Sequence, residues 1–119
     1  MRVLLADDEP KVRSALRLIL EQRKGVEVVE EVTNAKSLAE SLHRAQPDLL
    51  LLDWELPGLH QVSSLASLLQ GRSSSLKVIV LSGRCQSGRN ALAFGADAFV
   101  SKCDPPDQLF ATLQAMGAG

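Results

Sequence analysis

The stretch DLLLLDWELPG, residues 48–58, decides the fold. Its four consecutive leucines, Leu49 to Leu52, leave no polar face, so the segment reads as a third strand over residues 48–52, buried on both sides. A carboxylate, Asp53, closes the run, and Pro57 with Gly58 turns the chain away from it. A charge at the end of such a strand is costly unless it has a partner or a task. In open α/β sheets, ligand sites lie just beyond the carboxyl ends of the strands. A second apolar run, RVLLA at residues 2–6, ends the same way, in Asp7 and Asp8. If these two strands are parallel neighbours, three carboxylates converge on one edge. Such a cluster repels anions and suits a divalent cation.

Outward from this pair the chain alternates between two periodicities. Pro10 suits the first turn of a helix, where its missing N–H is not needed. Val12, Ala15, Leu16 and Ile19 then follow at helical spacing, and Gly25 ends the segment. Residues 26–32 are β-branched and partly alternating, which predicts a second strand. Thr33 or Asn34 caps a second helix with the stripe Ala35, Leu38, Ala39 and Leu42, stopped by Pro47. Val62, Leu65, Leu68 and Leu69 predict a third helix, GRSSS a surface turn, and residues 76–81 a fourth strand. A short helix over about residues 86–94 ends at Gly95, a fifth strand covers residues 98–100, and Asp104, Pro105 and Pro106 open a last helix carrying Leu109, Phe110, Leu113 and Met116. Regular β–α alternation with short connections predicts a parallel sheet with helices on both faces and right-handed crossovers.

Length and composition bound the function. The 119 residues suit one compact domain, and an apolar content of 45% is enough to fill its core. A net charge of −1 gives no bulk attraction to nucleic acid or to an anionic membrane. No signal peptide or membrane span is apparent, which with the isolated Cys85 and Cys103 predicts a cytoplasmic protein with reduced thiols.

The residues at the predicted strand ends carry the chemistry: Asp7 and Asp8 from the first, Asp53 from the third, Ser82 from the fourth and Lys102 from the fifth. Mg²⁺ favours a few carboxylates completed by water and phosphate oxygens. A carboxylate can attack phosphorus and form an aspartyl phosphate. Phosphoryl transfer then asks mainly for alignment and neutralisation of the equatorial oxygens, which a metal ion, the Lys102 amine and the Ser82 hydroxyl can share.

Together ADDEP, LLLLDWELPG, VIVLSG and GADAFVSK resemble the response-regulator receiver domain of two-component signalling, in the family's order and over essentially the whole chain. The stretch SKCDPPDQLFATL resembles the subfamily that carries a C-terminal helix-turn-helix output domain. The resemblance implies a flavodoxin-like (βα)5 three-layer sandwich with a parallel sheet of order 2-1-3-4-5, a single receiver domain over residues 1–119, and no output domain in this chain. It implies that Asp53 is the phosphoacceptor and a sensor histidine kinase the donor. Asp8 would ligate Mg²⁺ directly and Asp7 mostly through water, with Asp53 and the backbone carbonyl of Glu55 completing the protein ligands. Ser82 would be the switch hydroxyl, Lys102 the phosphate-binding lysine and Phe99 the aromatic switch. The fourth helix, fifth strand and fifth helix would present the changed surface to an output domain, an effector or a second copy. The domain would act only on its own phosphorylation and dephosphorylation, so it is not an enzyme toward other substrates, and it would not itself touch nucleic acid or membrane.

Some positions depart from the family pattern. Cys103 stands where a proline usually follows the lysine. A cis bond costs about 3 kcal/mol without proline, so the Lys102 loop either carries strain or takes another path. The segment between Ser82 and Gly95 is shorter than usual. These departures are the basis of the alternative reading, a degenerate receiver that binds partners without phosphorylation. A Mg²⁺-dependent phosphohydrolase would use Glu55 as acid/base but lacks a cap domain. A nucleotide or flavin cradle needs glycines and free amides, where ADDEP offers negative charge. His43, His60 and Trp54 read as residues without chemical duty.

Overall fold

Five short apolar runs pair as parallel strands in the order β2–β1–β3–β4–β5 in the computed structural model, which describes residues 1–61, 65–69, 75–84 and 88–116. The elements are β1 (Arg2–Ala6), α1 (Pro10–Glu21), β2 (Glu27–Val32), α2 (Ala35–Ala45), β3 (Leu49–Asp53), a 3₁₀ turn (Leu59–Gln61), α3 (Leu65–Leu68), β4 (Lys77–Ser82), α4 (Gly88–Phe94), β5 (Ala98–Ser101) and α5 (Pro106–Ala115). The expected flavodoxin-like sandwich and strand order are both present. Val62, the turn at residues 71–74, Cys85, the start of the fourth helix at Gln86 and residues 117–119 lie outside the described residues.

Strand alternation sorts the apolar side chains into two cores. Leu4, Ala6, Leu50, Leu52, Val78 and Val80 meet Leu38 and Leu42 of α2 and Ala91 of α4. Val3, Leu5, Leu49, Leu51, Ile79 and Leu81 meet Leu20 of α1 and Leu109 and Leu113 of α5. The all-leucine run is thereby explained. β3 lies between β1 and β4 with all five residues buried, so neither of its faces can be polar. No helix of the described residues is long and apolar enough to cross a membrane.

Several local expectations are corrected. Asn34, not Thr33, caps α2, its side chain accepting from the Ser37 amide at 2.8 Å. Ala39 is exposed, and Ser41 is buried instead. The apolar stripe of α1 is only half-covered at Val12, Leu16 and Ile19, Ala15 is exposed, and Leu20 is the residue fully buried. Those stripe residues line a cleft of about 410 Å³ against Pro105, Pro106 and Leu109. β3 and β4 each run one residue further than expected, through Asp53 and Ser82. That extension matters, because both side chains are then held by ladder-paired backbone: Asp53 opposite Leu81, and Ser82 opposite Ser101.

The loop after Asp53 is fixed from two sides. The Trp54 amide donates to the Leu81 carbonyl at 2.8 Å, continuing the β3–β4 ladder past Asp53. Gly58 turns the chain with φ of 86°, and the adjacent Pro57 carbonyl accepts from the Ala35 amide at 2.9 Å. A Cβ at Gly58 would lie 3.3 Å from the Ala35 side chain, so both conformation and space favour glycine there.

Candidate functional site

Asp7 leaves β1, Asp53 ends β3, and the two residues are 2% and 1% exposed. Asp8 is exposed beside them. One oxygen from each of the three acids lies within 4.8 Å of the others, the convergence expected from parallel neighbouring strands. Backbone amides orient the two buried carboxylates: Glu9 N–H donates to Asp7 Oδ1 at 2.9 Å, and Glu55 N–H to Asp53 Oδ1 at 3.1 Å. Arg13 closes the Asp7 loop by donating to the Asp7 carbonyl at 2.8 Å.

Lys102 reaches this cluster from the end of β5. Its Nζ lies 2.9 Å from Asp7 Oδ2 and 3.2 Å from Asp53 Oδ1, with Glu9 at 3.7 Å. The unusual Cys103 does not displace it. No described peptide bond is cis, and the Cys103 amide donates to Ser101 Oγ at 3.1 Å, a bond that a proline could not form. The loop thus follows another path and still delivers the amine. The Lys102 amide itself donates to the Ser82 carbonyl at 2.8 Å, locking the start of the loop to β4.

The electrostatics are uneven. Burial pushes Asp53 up to about 6; its Glu55 amide bond opposes this, the Asp7 charge adds to it and the Lys102 charge offsets part of it. Burial lowers the Lys102 pKa, but the Asp7 and Asp53 carboxylates outweigh that and hold the amine above its usual range. Asp53 Oδ2 is buried with no hydrogen-bond partner among the described residues. A buried, unpaired carboxylate oxygen beside two other acids is a donor set that a hard divalent cation would satisfy. The residues present therefore fit a metal ion.

Ser82 and Phe99 lie on the other side of the site. Ser82 is fully buried, and its hydroxyl donates to the Glu55 carboxylate, 3.1 Å from Oε1 and 3.0 Å from Oε2. The Arg84 amide donates to Ser82 Oγ at 3.0 Å. Phe99 is half-buried against the α2–α4 core, and its ring lies over the first residue of α4, where a Cβ on Gly88 would meet Phe99 Cδ1 at 3.1 Å. Trp54 stands edge-on to His60 and Phe94, and His60 Nε2 donates to the Trp54 carbonyl at 2.7 Å. Asp7, Asp8, Asp53 and Lys102 form one cluster of charged side chains, to which Ser82 is linked through Glu55. Sequence reasoning weighed the Glu55 side chain only as an acid/base or a nearby charge; its bond to Ser82 is what the fold adds. The place of Glu55 two residues after Asp53, in a segment about to turn at Pro57, was the available signal.

Comparisons with known proteins agree with this geometry. The sequence profile of the response regulator receiver domain matches residues 3–114. The chain is 30% identical to the nitrate/nitrite response regulator protein NarL of Escherichia coli K12, over 98% of this chain and 55% of that protein. It is 26% identical to the DNA-binding transcriptional activator EvgA of the same strain, over 100% of this chain and 58% of that protein. The chain thus spans little more than half the length of these curated relatives. Among solved structures, the isolated receiver domain of RcsB from Salmonella enterica serovar Typhimurium, in the presence of phosphomimetic BeF3⁻, superposes with a TM-score of 0.83 at 29% identity, covering 100% of this chain and 89% of that one. A two-component response regulator of the LuxR family from Aurantimonas sp. gives 0.82 at 27% identity, covering 99% of this chain and 85% of that one. Sequence profile, strand order and clustered acids all agree: the chain belongs to the response regulator receiver domain family.

Proposed function

We propose that the domain is a phosphorylation-dependent signalling switch that accepts a phosphoryl group on Asp53 from a sensor histidine kinase in a Mg²⁺-dependent reaction. The observation that carries this reading is the convergence of Asp7, Asp8 and Asp53, with Lys102 bridging the two buried acids. Asp53 Oδ2, buried and unpartnered, is the attacking oxygen. The O–P bond forms there as the N–P bond of the donor phosphohistidine breaks, and the imidazole nitrogen keeps that electron pair. Asp8, Asp53, the Glu55 carbonyl and, through water, Asp7 would hold Mg²⁺, which would supply positive charge to the phosphoryl oxygens. Lys102, now shared between Asp7 and Asp53, turns its ammonium to a second oxygen. The Ser82 hydroxyl donates to a third and draws its loop with it, while Phe99 follows on the same side of the sheet. Because phosphorylation can only bias two existing states, the response is limited by their difference in stability.

The readout would pass through α4, β5 and α5 to an output domain, an effector or a second copy. The relative named as a DNA-binding transcriptional activator supports a transcriptional output. On this reading the domain works in the cytoplasm and acts on no substrate other than its own aspartyl phosphate. Intact mass after incubation with acetyl phosphate, with and without Mg²⁺, tests the proposal. A phosphoryl adduct that requires both the ion and Asp53 is expected. A folded protein that takes up no phosphoryl group would instead be a phosphorylation-independent interaction module.

A further inference from the structure

We propose that the Glu55 carboxylate is a positioning residue that holds the Ser82 hydroxyl away from Asp53 in the unphosphorylated domain, and so sets how much free energy phosphorylation must supply to throw the switch. This rests on the reading of Asp53 as acceptor and Ser82 as its hydroxyl donor. Ser82 is wholly buried, so water does not share its hydrogen bonds. A serine hydroxyl has one proton. That proton is divided between Glu55 Oε2 at 3.0 Å and Oε1 at 3.1 Å, while Oγ accepts from the Arg84 amide at 3.0 Å. No donor capacity remains for a phosphoryl oxygen. The Ser82 backbone is tied into the sheet opposite Ser101 and accepts from the Lys102 amide. The hydroxyl can therefore donate to a phosphoryl group on Asp53 only by giving up Glu55.

The competition is between two anions for one proton. A hydroxyl–carboxylate bond is of the strong, charge-assisted kind. Glu55 is itself an exposed residue with its backbone amide on Asp53 Oδ1, so its side chain can swing outward when a phosphoryl group brings further negative charge to Asp53. Release of Ser82 and departure of Glu55 are then one event. The two residues lie 27 positions apart, in different β–α units, which couples the loop after β3 to the loop after β4.

The test is the affinity for beryllofluoride in the presence of Mg²⁺, read by Trp54 emission, in a cycle of Glu55→Ala, Ser82→Ala and the double variant. Glu55→Ala should tighten binding about tenfold in the wild-type background and have little effect in the Ser82→Ala background, where no hydroxyl is held. An equal gain in both backgrounds would mean that Glu55 acts only through its charge and would overturn the proposal, leaving the acceptor role of Asp53 intact. If the wild-type protein binds no beryllofluoride at all, the acceptor reading falls and the proposal with it. An independent readout needs neither the mimic nor Ser82→Ala. In unphosphorylated Glu55→Ala the Arg84 amide resonance should move, because the oxygen it donates to is freed. An unmoved Arg84 resonance would also overturn the proposal.

Discussion

The two halves of the site are in different states of readiness. On the β1–β3 side, Asp7, Asp53 and Lys102 already touch, and two backbone amides hold the carboxylates in place. On the β4–β5 side, Ser82 is engaged by Glu55 and Phe99 by the start of α4. Asp53 and Ser82 are both buried strand-end residues with ladder-paired backbone, so rigidity of the backbone does not separate the halves. What separates them is the partner each side chain has found. The acid half stores unfavourable charge that an ion or a phosphoryl group would use, and the switch half stores hydrogen bonds that must be broken first.

The sharpest way to break the comparison is Asp53→Asn. It should abolish the acetyl phosphate adduct, and undiminished labelling would remove Asp53 as acceptor. The same variant should stabilise the metal-free fold at neutral pH, since Asp53 is ionised there against the pull of its surroundings. The sign follows from linkage. A carboxyl raised from 3.8 to about 6 in the folded state binds its proton more tightly than in the unfolded chain. Stability of the metal-free protein should therefore fall as pH rises from about 4 to about 6 and level off above, and the Asn variant should lose that slope. Chemical denaturation across this pH range measures both effects.

Lys102→Ala comes next. It leaves two buried acids without their counter-charge. A loss of about 2 kcal/mol is expected in metal-free protein, with Mg²⁺ restoring most of it, together with weaker coupling of phosphorylation to the switch half. A urea melt unchanged by the substitution would mean that the ion pair contributes nothing to stability.

A smaller effect is expected on Mg²⁺ binding. Protons compete with the ion for Asp53, so affinity should drop as pH falls below about 6, by about tenfold per unit. Trp54 follows Asp53 directly and is half-buried, so its emission in Mg²⁺ titrations at pH 5 and 7 reports the change.

The smallest effect is expected of Gly88→Ala. The new Cβ would meet the Phe99 ring at 3.1 Å, so the ring must shift by a few tenths of an ångström. The stability change should stay below about 1 kcal/mol, while the aromatic resonances of Phe99 move and those of the acid half do not. Movement in both halves would show that they are coupled even without phosphorylation.

Most of the fold and half of the site could be read from the sequence for the same reason. An apolar run such as Leu49–Leu52 names a doubly buried strand, and in a parallel sheet every strand delivers its last residue to one edge. Asp7, Asp8, Asp53, Ser82 and Lys102 were therefore identifiable as neighbours before any coordinate. Burial on the helices was less legible: Ala39 is exposed although its spacing suggests burial, and Leu20, outside the expected stripe of α1, is fully buried, because packing against the sheet decides which positions are covered.

The amino-acid order by itself determined the alternation, the strand identities and the chemistry assembled at the sheet's edge, because periodicity and turn residues act locally. Only the tertiary structure decided that Lys102 spans two acids behind a non-proline residue, that Asp53 is raised to about 6, and that Ser82 belongs for now to Glu55. Each of these depends on distances between residues far apart in the chain, and on the exclusion of water from the space between them. Neither quantity is written in local sequence.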